Sequence, residues 1–410
     1  MPAPAPDRAG PAGPTAAFAP VALLAALPVL ASLWRQGPCL EQGWGGQEPF
    51  WRFCYSDLAV STQTAGAGRG FGAWLSGEVP LDHPPLTGGL VALVAGLGPD
   101  GTPLDTQRWV LAVWAVLTVA ALVLMAWWVR DTGAHDGDEQ GARLDARHVV
   151  LAPVAALTLL LSPDLLGVAL ATGGLWAWSR RHPALAGALL GAGLMARTYP
   201  GLLLLVLAVH AWRTGREREL GRVALGAAAA VGSVALPLLL TEPALVTRSW
   251  GLWNDSLAGL GSIWYLPTLA GSPWAAGVLT VVAVVGILLA VVLAGLLVLG
   301  APTPPRVGAA ALVLVAVVLV SGKSFPVQAS LWLVPLVALA GLRWRDHLVW
   351  ALAEGVHFVA VWLYLGGLQD ANRSLPPSWY AVALLGRVAA VAWLAVRAWQ
   401  TSARQVGARI

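Results

Sequence analysis

The sequence predicts an all-α, polytopic integral membrane protein with about eleven to thirteen transmembrane segments. Hydrophobic residues make up 57% of the 410-residue chain and charged residues only 11%, whereas about 25% of residues are charged in a typical soluble domain. Apolar runs recur along the whole chain, and arginines gather in the short intervals between them. This pattern is typical of helices that cross a bilayer and are oriented by basic residues on the cytoplasmic side.

The balance of charge excludes one class of partner. The chain has 25 basic and 21 acidic residues, and this small excess does not indicate a protein that binds nucleic acid. The lipid bilayer is the expected surrounding.

Thirteen apolar segments are candidates for the helices. They cover residues 17–34, 86–98, 109–129, 149–161, 165–179, 184–196, 200–212, 223–240, 275–299, 307–321, 327–340, 348–365 and 379–396. Several are shorter than the ~20 residues that a perpendicular helix needs, so we expect tilted, broken or half-spanning helices among them. Residues 1–16 read as a disordered Pro- and Ala-rich tail, 17–396 as one membrane domain and 397–410 as a basic cytoplasmic tail.

The first apolar segment reads as an anchor helix. It ends at Trp34, Arg35 and Gln36 without the small-residue pattern of a cleavage site. Cys39 and Cys54, the two cysteines of the chain, follow it. They can pair if this loop faces an oxidising exterior, and they are free or unrelated thiols if it does not.

Arginine-rich turns predict which loops are cytoplasmic. The markers are Arg180 and Arg181, Arg213 to Arg222, Arg343 and Arg345, and the C-terminal tail. The opposite turns then face outward, at Ser162–Asp164, Arg197–Pro200, Thr241–Trp274, Gly322–Gln328 and Gly366–Ser378, as does the loop after the first helix. In this predicted topology, loop 130–148 is cytoplasmic only if segment 86–98, with about 13 residues, does not fully cross the membrane.

The first external loop, Tyr55 to Leu86, holds the leading candidate for chemistry. Asp57 opens it, and Phe71, Trp74 and Leu75 have the spacing of an interfacial helix face. A carboxylate at the membrane surface can take a proton from an acceptor hydroxyl. The alternative is that Ser56 or Asp57 only caps that helix.

Two cations fall on the same predicted side. Arg197, in Arg-Thr-Tyr-Pro200, is placed to hold a phosphate, with a snorkelling interface arginine as the alternative. Lys323 is the only lysine of the chain and suits an anionic ligand, with an incidental loop lysine as the alternative.

Other polar features are given structural readings. Glu354 and His357 share a helix face and suggest a packing network. The acidic Asp136-Gly-Asp138 lies in a loop predicted to be cytoplasmic and solvated. The external loop 241–274 is rich in aromatic residues, which are typical of membrane interfaces and also form stacking surfaces for sugars; they are Trp250, Trp253, Trp264, Tyr265 and Trp274.

The order of these motifs resembles the membrane-embedded C-type glycosyltransferases that use polyprenyl-phosphate sugars. The stretches ARTYPGLLLL at 196–205, SFPVQASLWLVPLVAL at 324–339 and AEGVHFVAVWLYLGG at 353–367 look like actinobacterial mannosyltransferases of glycosyltransferase family 87. His83 precedes the Pro-Pro-Leu of the first loop, where members of that family often have tyrosine.

The resemblance implies inverting transfer of a sugar, most often mannose, from a polyprenyl-phosphate donor to a glycolipid, glycan or protein acceptor outside the cell membrane. Asp57 is then the general base. Arg197 and Lys323, supported by His83, stabilise the leaving phosphate. Substrate contacts are expected from Tyr199, Trp264, Tyr265, Gln328 and Asp82. No cofactor is implied; a single acid at position 57 does not require a divalent metal.

Two alternatives remain at this level. An arabinosyl- or glucosyltransferase would use the same donor chemistry. A transporter or flippase for lipid-linked sugars would explain many helices and buried charges, but it predicts internal symmetry or broken helices at the midplane, and no internal repeat is visible.

Overall fold

A computed structural model describes residues 18–135, 144–368 and 370–404. The predicted tail 1–16, the acidic loop motif at 136–139 and the last residues of the C-terminal tail lie outside the described residues. The structure is 78% helical, and no strand occurs in the part of the chain that it describes. The predicted all-α class is therefore confirmed.

Twenty α-helices follow one another along the described chain. The first ten are α1 Ala19–Leu24, α2 Ala26–Gln42, α3 Glu48–Trp51, α4 Asp57–Thr64, α5 Gly70–Leu75, α6 Pro85–Gly96, α7 Pro103–His135, α8 Arg147–Val150, α9 Pro153–Thr158 and α10 Leu165–Ser179. The others are α11 Pro183–Ala196, α12 Tyr199–Arg213, α13 Leu220–Thr241, α14 Ala244–Asp255, α15 Leu266–Leu269, α16 Ala276–Gly300, α17 Val307–Ser321, α18 Val334–Leu339, α19 Trp344–Gly367 and α20 Pro377–Arg404. Short 3₁₀ helices include Val327–Trp332.

Within the described residues, six helical stretches are long and apolar enough to cross a membrane. They are Ala19–Gln42, Pro103–Ala134, Glu217–Thr241, Ala276–Gly300, Trp344–Gly367 and Pro377–Ala403. Seven shorter apolar helices accompany them. Six such stretches agree with the predicted polytopic membrane protein, and the larger predicted number of segments counts several of these shorter helices.

Side-chain contacts show which helix ends lie together at each end of the bundle. At one end, Arg180 pairs with Asp131 at 3.4 Å, and Trp344 Nε1 donates to Asp145 Oδ2 at 2.9 Å. Arg213 Nη2 donates to the carbonyl of Ala301 at 3.2 Å. The turns whose arginines are predicted to be cytoplasmic therefore lie together at this end, which we call the arginine end. Both described flanks of loop 130–148 lie there as well.

Helix α6 does not carry the chain from one end to the other. It has 12 residues, about 18 Å of helix, which is shorter than the ~30 Å hydrocarbon core. Thr87 Oγ1 near its start donates to the carbonyl of Ala196, and a Cβ on Gly96 at its end would overlap Gly70 of the first loop. Helix α7 then leaves from the same end, where Arg108 Nε donates to Leu40 O at 2.7 Å. This arrangement agrees with a segment 86–98 that does not cross.

The first loop forms two short helices, α4 and α5. Between them lies a 3₁₀ turn at Ala67–Arg69, flanked by Gly66 and Gly70, whose positive φ of 68° and 87° favours glycine. Trp74 is buried against α6 and does not face lipid, because Gly88 and Gly89 leave room for its ring. Cys39 and Cys54 form a disulfide that ties the end of α2 to the start of this loop.

Candidate active site

The end of the bundle opposite the arginine end holds two neighbouring cavities. The cationic cavity has a volume of about 420 Å³ and includes Arg197, Lys323, Asp82 and Tyr199 in its lining. The carboxylate cavity has a volume of about 360 Å³ and includes Asp57. Both are lined by Ser324, Pro326 and Gln328, so segment 322–328, hereafter the partition segment, separates them.

Asp57 lies at the first residue of α4 and faces the carboxylate cavity. Its backbone N–H donates to Leu161 O at 2.7 Å, and its carboxylate accepts hydrogen bonds from Gln328 Nε2 at 3.2 Å and from Tyr55. Burial raises the pKa of Asp57 to about 6, with Tyr55 acting against the shift and Asp164 adding to it. A carboxylate with a pKa near the working pH is suited to general-base chemistry.

The helix-cap interpretation of Ser56 is wrong for its side chain. Ser56 occupies the N-cap position of α4 but makes no side-chain cap hydrogen bond. Its hydroxyl instead donates to Leu160 O at 2.6 Å. This bond, with the Asp57 backbone bond, attaches the start of α4 to the segment that precedes Asp164.

Arg197 ends α11 and points into the cationic cavity. It pairs with Asp164, whose side chain is 3% exposed. Asp164 also accepts hydrogen bonds from Ser162 Oγ at 2.7 Å and Trp332 Nε1 at 2.9 Å. Arg197 Nε is buried without a hydrogen-bond partner, as is Ser249 Oγ on the facing wall. Such orphaned polar atoms call for a ligand, and an anion suits the arginine.

Lys323 borders the same cavity but uses its donors internally. Its Nζ donates to Asn254 O at 2.8 Å, Ser256 O at 3.2 Å and Thr280 Oγ1 at 2.7 Å. The ammonium also lies 4.6 Å from the ring centroid of Trp253. Burial lowers the pKa of Lys323. Its three N–H bonds therefore hold α14 and α16 together, and only its positive charge is left to attract an anion in the cavity.

The first loop supplies His83 and Asp82 to this end of the bundle. Burial, followed by the charge of Arg197, lowers the pKa of His83 to about 3. A lowered pKa favours the uncharged imidazole, and the support of a donor phosphate by His83 stays a prediction. Asp82 is exposed and pairs with Arg248 of α14 at 3.1 Å. This pair closes one side of the cationic cavity.

Aromatic residues line the cavities, although not all the predicted ones. Tyr199 stacks on Trp332 at 4.5 Å between ring centroids. Trp264 and Tyr265 line neither cavity, since Trp264 Nε1 donates to Ser321 O at 2.8 Å and Tyr265 packs on Tyr364 and Tyr380. Their predicted contacts with a substrate find no support in the lining of these two cavities and stay predictions. The cavity walls contain instead Trp250 and Trp253 on α14, and the stacked rings of Phe50, Tyr55 and Trp362.

The remainder of the cationic cavity is apolar and belongs to membrane-crossing or neighbouring helices. Leu202 of α12, Ala283, Val284 and Ile287 of α16, and Val318 and Leu319 of α17 form this wall. A ligand that fits the whole cavity has an anionic group at one end and an apolar chain at the other.

Sequence reasoning missed two contributors to the site, Asp164 and Arg387. Asp164 was treated only as part of a turn, although a carboxylate between two apolar segments is itself a signal of function. Glu354 and His357 do not bond to each other as expected: Glu354 Oε2 accepts from Arg387 Nε at 2.8 Å, and His357 Nε2 lies 3.4 Å from Tyr380 Oη. Arg387 connects this network to the partition segment.

No set of three or more His, Cys, Asp or Glu side chains lies together as a possible metal site within the described ranges. Comparison with known proteins adds no relative, since no family model matches the sequence and no curated protein matches it significantly.

Proposed function

We propose that this protein is a membrane glycosyltransferase that moves a sugar, with mannose as the first candidate, from a polyprenyl-phosphate donor to an acceptor hydroxyl on the outer face of the cell membrane. The observation that carries the proposal is the pair of cavities that meet at Gln328. One joins Arg197 to an apolar wall, as a prenyl phosphate requires. The other holds the half-buried carboxylate of Asp57, whose pKa is raised to about 6. The sequence resemblance to C-type glycosyltransferases of family 87 supports the same assignment.

The residues divide the reaction between the two cavities. The acceptor hydroxyl oxygen attacks the anomeric carbon from the side of Asp57, and the bond from that carbon to the phosphate oxygen breaks. Asp57 takes the hydroxyl proton, and polyprenyl phosphate leaves with the electron pair. Arg197, aided by the positive charge of Lys323, stabilises the leaving phosphate. Attack opposite to the leaving group inverts the anomeric configuration.

Other side chains orient these groups. Gln328 and Tyr55 donate to the carboxylate of Asp57 and aim it into the carboxylate cavity. Asp164 fixes the guanidinium of Arg197. The stacked rings of Phe50, Tyr55 and Trp362 offer a flat apolar surface of the kind on which a sugar ring packs.

The test is donor consumption by the purified protein in lipid nanodiscs. Polyprenyl-phosphate mannose, glucose and arabinose, each labelled in the sugar, are supplied with an extract of envelope glycolipids and glycans. We expect one donor to be converted to polyprenyl phosphate and a labelled glycan product. Movement of intact donor between the leaflets of proteoliposomes, without cleavage of any donor, would instead identify a transporter.

A further inference from the structure

Most of the partition segment lacks the regular backbone hydrogen bonds of a helix. Residues 322–326 are irregular and lead into the 3₁₀ helix Val327–Trp332. Carbonyl groups of such a segment need donors from elsewhere when they are buried. Its position decides the shape of both cavities, because Ser324, Pro326 and Gln328 line each of them.

Arg387 of α20 supplies these donors. Its side chain is completely buried, and it donates to Phe325 O at 2.6 Å, Pro326 O at 3.0 Å and Ser330 Oγ at 2.9 Å. Its guanidinium lies 3.5 Å from the ring centroid of Phe325. One planar fork thus binds the middle of the partition segment and the 3₁₀ helix that carries Gln328.

The charge of Arg387 is balanced by Glu354 of α19 at 2.8 Å, and both side chains are at most 2% exposed. Arg387 lies ten residues after the start of α20, roughly 15 Å along the helix axis. A buried ion pair in a membrane-crossing helix is costly, and apolar residues of similar size often stabilise a fold equally well. Stability alone therefore does not account for the pair.

Helix α20 also supports the opposite wall of the carboxylate cavity. Tyr380 donates its hydroxyl hydrogen to Leu260 O, and Gly259 N donates to Lys323 O at 2.8 Å. A Cβ at Gly261 would overlap Phe325 O and the guanidinium of Arg387. The loop 259–261 therefore packs directly on the partition segment and on Arg387.

We infer that Arg387, held by Glu354, is a positioning residue that sets the partition segment between the two cavities and so keeps Gln328 on the carboxylate of Asp57. The role in positioning follows from contacts of Arg387 itself. Its consequence for turnover rests on the proposed function.

The test replaces both members of the ion pair by uncharged residues, because removal of one partner would leave the other charge buried alone. Arg387→Met/Glu354→Gln is compared with Arg397→Met/Asp346→Asn. The control pair also joins α20 to α19, at 3.1 Å, but it lies toward the arginine end and is not bonded to the partition segment. Thermal melting in detergent shows whether each pair of substitutions leaves the protein folded.

The direct readout is thiol labelling of Val327→Cys, which is 8% exposed in the intact protein. The native cysteines are joined in a disulfide, so this thiol reports alone. We expect the labelling rate to rise at least about tenfold when Arg387 and Glu354 are exchanged, and to stay constant in the control pair. Equal rates in both pairs would overturn the inference. If the double variant does not fold, Arg387→Lys keeps the charge but lacks the fork, and it should give the same rise.

The second readout is the pH dependence of transfer. Loss of the Gln328 hydrogen bond should move the acid limb of the rate profile to higher pH, because that bond favours the charged form of Asp57. An unshifted limb with accelerated labelling would show that Gln328 is not held through Arg387 and would contradict the coupling to the base. If the wild type transfers no sugar, the proposed function fails, while the labelling result still decides the positioning of the segment.

Discussion

At the scale of single residues, the site depends on what surrounds each charge. Asp57 is half-buried near a second carboxylate, Asp164, but only Asp164 is paired directly with Arg197. The two acids therefore have different roles: Asp164 orients a cation, and Asp57 is available to accept a proton. This division follows from position, because the two side chains are chemically identical.

Transfer should depend on pH through Asp57. Because burial raises its pKa to about 6, the carboxylate is charged above that pH and gains a proton as pH falls through it. A protonated carboxyl cannot take the hydroxyl proton, so kcat/KM should be level above about pH 7 and fall about tenfold per unit below about pH 6. Steady-state rates across this range, with the fold checked at each pH, test the prediction. A level profile down to about pH 5 would contradict it.

Arg197 should matter more for the donor than for the acceptor. We expect Arg197→Ala to raise the KM for the polyprenyl-phosphate donor by about 10- to 100-fold, since a charge-assisted contact to phosphate is lost. The KM for the acceptor should change little. Arg180→Ala is the control, because Arg180 also pairs with an aspartate but at the arginine end. Equal losses for donor and acceptor would count against the phosphate role.

At the scale of elements, local signals predicted the helices better than their breaks. Long apolar runs such as 275–299 appear almost unchanged as α16, because hydropathy and length are properties of the segment itself. Segment 149–161 is divided at Pro153, and segment 327–340 begins as a 3₁₀ helix before Pro335 continues it as α18. Proline marks such breaks but does not say whether neighbouring helices accommodate it.

The candidate site could be predicted where the position of a charged residue between apolar segments was enough to single it out. Asp57, Arg197 and Lys323 were found because a charge between apolar segments is conspicuous in one dimension. The lowered pKa of His83, the hydrogen bond of Trp264 to Ser321, and the bond from Arg387 to the partition segment depend on tertiary neighbours. No spacing in the sequence contains that information.

The disulfide makes a separate prediction for the first loop. Cys39 and Cys54 are 15 residues apart, and closure of a loop of this size contributes about 3 kcal/mol to the free energy of unfolding. Trp44 Nε1 donates to Cys54 O at 3.0 Å, so the constraint reaches the start of the carboxylate cavity. Cys39→Ser/Cys54→Ser should melt at a lower temperature than the wild type. A reductant should lower the melting temperature of the wild type but not that of the double variant. No effect of the reductant on the wild type would contradict this prediction.

At the scale of the whole molecule, the two ends of the bundle have different chemistry. The arginines of the turns predicted to be cytoplasmic lie at one end, as Arg180 does with its partner Asp131, and the two cavities and the disulfide lie at the other. The positive-inside tendency predicts that the cavities face the outer side, where a disulfide persists and where the proposed lipid-linked donor would be used in place of cytosolic nucleotide sugars.

This orientation is tested by labelling with a membrane-impermeant maleimide. Ser272→Cys lies in the exposed turn before α16 on the cavity end, and Glu217→Cys is exposed at the arginine end. In intact cells only Ser272→Cys should react, and Glu217→Cys should react after the cells are opened. The reverse pattern would place the cavities in the cytoplasm and contradict an external site.

Transfer by the Asp57→Asn variant tests the role of Asp57 as general base most directly. The amide keeps the shape of the carboxylate and removes a charge that burial disfavours, so the melting temperature should not fall. Purified wild type and variant are supplied with the polyprenyl-phosphate sugar that the wild type consumes, and release of polyprenyl phosphate is followed together with donor binding. We predict that the variant binds the donor normally and transfers at least about a hundredfold more slowly. Transfer at the wild-type rate by a folded Asp57→Asn protein would contradict the assignment of the base.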